Sequence, residues 1–114
     1  QEIAKFLKEI ALAEGVTIST KQLARFEPVE FDPRVIDIIE SIAKLQSNTV
    51  QRMPSGAGHD AQMLARVCPS AMIFVPSVNG ISHNPAEHTD TDDLVAGANI
   101  LLHTMLTLCA TEIA

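Results

Sequence analysis

The chain has 114 residues, 46% of them hydrophobic, which suits one modest domain with a buried core and is too apolar for a disordered segment. Eight Lys plus Arg against fourteen Asp plus Glu give a net charge of -6. With no basic cluster and few aromatics, this composition excludes nucleic acid as a partner and leaves a small molecule as the expected one.

Ile3, Phe6, Leu7 and Ile10 recur at helical spacing and Gly15 supplies a stop. Residues 16–20 then alternate like a half-buried strand. A helix that starts without a cap, followed by a strand with no partner in sequence nearby, reads as the end of a domain cut open. Residues 23–31 continue as extended or irregular chain, since the residue before Pro28 disfavours helix.

Asp32-Pro33 predicts a second helix: Asp can cap, and Pro at the first helical position loses no hydrogen bond. Val35, Ile38, Ile39, Ile42 and Leu45 form its apolar stripe, and Ser47-Asn48 is expected to end it. From here the pattern runs helix, strand, loop, helix, strand, loop, helix, which predicts an α/β fold with helices packed on a mostly parallel sheet. The expected division is residues 1–28 as one unit and 29–114 as the other.

The last helix follows the acidic, hydroxyl-rich residues 89–93, which can cap its start and complement its dipole. That cluster lacks the Gly turn and distant Glu of an EF-hand loop, so calcium is not the expected reading. Leu94, Ala98, Leu101, Met105 and Leu108 form one stripe, widened by Val95, Leu102, Leu106 and Cys109, so most of the helix is expected to be buried. His103 and Thr104 interrupt it and no run of eighteen apolar residues exists, so no membrane span is expected. With no signal-like leader and only Cys68 and Cys109, the expected compartment is the reducing cytoplasm, with both thiols buried and inert.

Two Gly-punctuated loops carry the candidate chemistry. Residues 53–61 leave a short apolar run and enter a helix near Asp60, where backbone N–H groups at Gly56 and Gly58 could cradle an anion. Asp60 reads as a helix cap. His59 either faces a ligand or merely caps and packs. Residues 79–87 follow the apolar residues 71–75, read as a buried strand, so His83 is expected just beyond a strand end, where α/β folds bind ligands. His83 by itself reads as a surface histidine or a metal ligand. Glu87 either orients His83 or begins a helical segment.

The runs SGAGHDA at 55–61, AMIFVPS at 71–77 and NGISHNPAE at 79–87, followed by a long apolar helix, resemble the C-terminal part of the N-carbamoyl-L-amino-acid hydrolases and allantoate amidohydrolases, in the aminoacylase-like M20 metallopeptidase and amidase family. The resemblance covers this whole chain but only part of the family's two-domain enzyme. It implies that residues 1–28 end the lid domain, which makes a homodimer contact in the family, and that 29–114 belong to the metal-dependent catalytic domain. It implies two divalent metal ions, zinc or manganese, with His83 as a ligand and the remaining ligands and the general base upstream. It further implies that His59 faces the substrate and stabilises the oxyanion as metal-bound hydroxide attacks a carbamoyl or ureido carbonyl, with Gly56 and Gly58 at the substrate's anionic end. With one ligand and no base, this chain alone is expected to be inactive. An aminoacylase- or dipeptidase-type hydrolase and a non-enzymatic anion-binding scaffold stay open as alternatives.

Overall fold

A computed structural model of the chain describes residues 2–46 and 49–110. In chain order it contains helices α1 (Glu2–Glu14), α2 (Pro33–Leu45), α3 (Ala61–Leu64) and α4 (Thr91–Ala110), with a single 3-10 turn at Val78–Gly80 before α4. The expected end of the second helix at Ser47-Asn48 lies outside the described residues. α2 itself closes at Gln46, whose N–H reaches back to Ile42 O.

The ends of α1 and α2 follow from local chemistry. Gly15 adopts φ +63°, which a residue without Cβ tolerates, and the Val16 N–H returns to Ala11 O at 3.1 Å as in a Schellman turn. At α2, Asp32 is extended and its carboxylate accepts from the N–H groups of Arg34 at 2.8 Å and Val35 at 3.4 Å, with Pro33 at the first helical position. The Arg34 guanidinium folds back onto the same carboxylate at 2.9 Å and holds its pKa below the usual carboxylate range.

α2 and α4 are the only helices that pack together among the described residues. Val35 and Ala43 from α2, Ile100 and Thr104 from α4, and Ala61 from α3 form the buried core. Thr104 enters it at no polar cost, because its hydroxyl donates to Ile100 O at 2.7 Å within the same helix. Residues 71–75 cross α4 at Gly97, where a Cβ would come within 2.5 Å of Val75 Cγ1. α1 buries none of its residues, and Ile3 and Phe6 stand 75% and 59% exposed.

Several expectations are corrected here. No strand forms among the described residues: 16–20 and 71–75 carry no regular secondary structure. A strand exists only against a ladder partner, and residues 71–75 have none among the described residues: the nearest backbone bond, Asp32 N–H to Ser70 O at 3.0 Å, falls just before them. α4 is not mostly buried; only Ile100 and Thr104 are, while Leu94, Val95, Leu101, Leu102, Met105 and Leu106 are each more than half exposed. Cys68, in the bend after α3, and Cys109, on α4, are free and exposed rather than buried. By length and composition alone α4 could cross a membrane, a property it shares with core helices of soluble proteins, so the expectation of no span is not overturned.

The chain exposes 9526 Å². A compact monomer of its mass exposes about 6,100 Å², so roughly 3,400 Å² more surface meets solvent than such a domain allows. Its radius of gyration of 19.9 Å likewise exceeds the roughly 13 Å of a compact chain this long. α1, the segment that follows it to Pro28 and much of α4 are exposed.

Candidate active site

The first loop is anchored at both ends. Arg52, just before it, reaches across to the exposed face of α2, where its Nε donates to Glu40 Oε2 at 2.8 Å and its Nη2 to Asp37 Oδ1 at 2.6 Å and to Glu40. Lys44 Nζ takes the other Glu40 oxygen at 2.5 Å. Lys44 and Arg52 hold the Glu40 carboxyl below its ordinary range, and Asp37 and Glu40 raise the already basic guanidinium. Arg52 was not among the residues singled out from the sequence. Its signal was present as two carboxylates three residues apart on one helix face, facing a cation beyond the helix end.

At the other end, Ala61 is buried and its N–H donates to His59 Nδ1 at 3.0 Å. The imidazole therefore takes the capping role expected of Asp60, whose backbone is already helical and whose side chain caps nothing. An Nδ1 that accepts leaves the neutral ring's proton on Nε2, so the far side of His59 presents an N–H donor. That ring lines a groove of about 530 Å³ between α2, residues 69–75 and α4, walled by Val35, Ile39, Leu101, Thr104 and Met105.

Gly56 and Gly58 are exposed, and their N–H groups donate to nothing among the described residues, while Ser55 Oγ braces the turn on Ala57 O at 2.9 Å. α3 itself is a single turn whose first N–H is taken by His59, so its start offers little to an anion. Any anion held here would be held by the glycine N–H groups, not by a helix end.

His83 lies in a separate loop and does not line the groove. Its backbone is left-handed at φ 57°, as is that of Asn79 in the same loop. For a residue with a Cβ this conformation costs on the order of 1–3 kcal/mol and persists only where the surroundings enforce it. Glu87 Oε2 accepts the His83 N–H at 2.7 Å, so the carboxylate engages the main chain rather than the ring. His88 Nε2 lies 3.5 Å from Asp90, and His103 is exposed on α4. Among the described residues no three His, Cys, Asp or Glu side chains converge as a metal site. His83 alone does not fit a metal centre.

A family model described as Peptidase family M20/M25/M40 matches residues 6–107. The chain belongs to that family. It is 39% identical over 92 residues to the N-carbamoyl-L-amino-acid amidohydrolase of Rhizobium meliloti, covering 81% of this chain and 22% of the relative. It is 44% identical over 75 residues to the allantoate amidohydrolase of Escherichia coli K12, covering 66% of this chain and 18% of that one. Among solved structures, an amidase of the hydantoinase/carbamoylase family from Burkholderia multivorans superposes with a TM-score of 0.80 at 39% identity, covering 91% of this chain and 25% of that chain. The chain thus spans about a fifth to a quarter of the relatives it matches.

Proposed function

We propose that this chain is part of an amidohydrolase that cleaves the C–N bond of a carbamoyl or ureido group on an amino-acid-like substrate. The observation that carries the reading is the match over residues 6–107 together with relatives named for N-carbamoyl-L-amino acids and allantoate. In this reading residues 29–114 belong to the catalytic domain and the exposed α1 to the lid. The apolar faces of α4 and the groove are covered by the remaining domain, including the strands that would complete an α/β sheet around residues 71–75.

Within the site, the free N–H groups of Gly56 and Gly58 bind the substrate's anionic end, and His59 Nε2–H donates to the carbamoyl oxygen as charge develops there. Bound divalent metal would supply the activated water. The residues here do not hold such an ion by themselves, so His83 contributes one donor to a set whose other members lie outside this chain.

The test is a chimera in which the matching segment of the Rhizobium meliloti enzyme is replaced by this chain, assayed beside the 114-residue chain alone. Hydrolysis of N-carbamoyl amino acids or allantoate by the chimera, and none by the chain alone, is the expected result. A folded chimera that cleaves N-acyl amino acids or dipeptides instead would move the assignment to an aminoacylase or dipeptidase.

A further inference from the structure

We propose that Glu87 is a positioning residue that fixes His83 through the main chain, in a loop that sets the histidine's direction without help from surrounding packing. The loop is closed at its base by Val78 N–H to His88 O at 2.8 Å, and Ser77 Oγ bridges Ile81 O and His88 O across the same neck. Residues 78–88 thus leave and return at one point, the hallmark of a compact Ω-loop. Inside it, Asn84 Oδ1 accepts the Ala86 N–H at 2.9 Å, and the Glu87 N–H donates to Asn84 O at 2.9 Å. This turn brings the Glu87 carboxylate back over the His83 amide, where it accepts at 2.7 Å.

His83 and Glu87 are both exposed, so no packed neighbour enforces the left-handed φ of 57° at His83. The side-chain hydrogen bond to its amide does. Since Cβ direction follows from φ and ψ, whatever holds that amide also aims the imidazole. The Glu87 role on this geometry is acceptance of one N–H, which a neutral amide oxygen can also provide. That separates it from a carboxylate acting on the ring itself, where charge would be required.

The inference rests on the functional reading for its purpose but not for its test. In the 114-residue chain, amide hydrogen exchange at His83 is followed by NMR in the wild type, Glu87→Gln and Glu87→Ala. Glu87→Gln should keep the His83 amide protected, and Glu87→Ala should speed its exchange by roughly tenfold or more, the scale of one hydrogen bond. The left-handed φ, read from the three-bond HN–Hα coupling, should be kept in Gln and lost in Ala. Exchange in Glu87→Gln as fast as in Glu87→Ala, or no change in either, would overturn the assignment. In the chimera, Glu87→Ala should lower kcat with Glu87→Gln restoring it. If instead His83→Ala leaves the chimera fully active, the functional reading of His83 fails, while the exchange result still decides how Glu87 acts on the loop.

Discussion

Gly97 of α4 and Val75 of the preceding segment approach so closely that a Cβ at position 97 would stand 2.5 Å from Val75 Cγ1. A helix-interior glycine ordinarily costs about 1 kcal/mol relative to alanine, so Gly97→Ala would stabilise an isolated α4. Here it should lower the melting temperature, because the short branched side chain of Val75 cannot swing aside as a longer one would. Val75→Ala combined with Gly97→Ala should recover the loss, and a double-mutant cycle by thermal unfolding would show the coupling. Additive effects would mean that residues 71–75 do not rest on α4.

Acid should weaken α2 before neutral pH does any harm. Asp32 and Glu40 both titrate below their ordinary range, Asp32 chiefly through Arg34 and Glu40 chiefly through Lys44 and then Arg52. A depressed folded-state pKa gives stability that is complete above the unfolded value and disappears as pH falls through the folded one. Helix content followed by circular dichroism should therefore hold from neutrality to about pH 5 and then decline towards pH 3. Asp32→Ala should lower helix content at pH 7 and flatten that decline, whereas Asp32→Asn, which keeps the cap acceptor, should restore most of the helix.

Arg52→Ala should leave overall stability almost unchanged, since exposed ion pairs contribute little, yet release the loop it anchors. Backbone order parameters across residues 53–58 should drop while those of α2 stay high. Arg52→Lys should behave nearly as badly, because an ammonium on a flexible stem does not span Asp37 and Glu40 as the planar guanidinium does. An unaltered loop in both variants would assign its order to the His59 end alone.

In an active chimera, His59→Ala should reduce kcat by roughly a hundred- to a thousandfold, the scale of one lost oxyanion donor. KM should change less, because the glycine N–H groups remain. His59→Ala also removes the acceptor for the Ala61 N–H. His59→Asn, whose side-chain oxygen can cap that N–H, therefore serves as the control: a kcat near that of the parent in His59→Asn would reduce the imidazole to a structural cap.

The parts of this fold that were legible in the sequence are those whose partners lie within a few residues. Asp32-Pro33 starts α2 as expected because the cap acceptor and its N–H groups are two and three residues apart, and Gly15 ends α1 because a single left-handed residue suffices. The sequence left Glu87 either to orient the His83 ring or to begin a helical segment, and the carboxylate instead accepts the His83 main-chain N–H. What was not legible depends on distant chain. Residues 71–75 have strand composition but no ladder partner among the described residues, and Cys109 has a core-like neighbourhood in sequence while its face of α4 is open. The choice of cap between Asp60 and His59, both open in the sequence, was not legible for another reason: both residues offer an acceptor, and only the backbone conformation at Asp60 decides between them.

The uncovered faces of α4 have a consequence for how this chain behaves as a solute. Contiguous exposed apolar faces favour self-association when nothing else covers them. Mass action then ties apparent stability to the amount of protein present, as for obligate dimers. The midpoint of thermal unfolding should climb as the chain is concentrated from the micromolar to the millimolar range, with sedimentation reporting larger species over the same interval. A melting temperature quoted for this chain would have no meaning without the concentration at which it was taken.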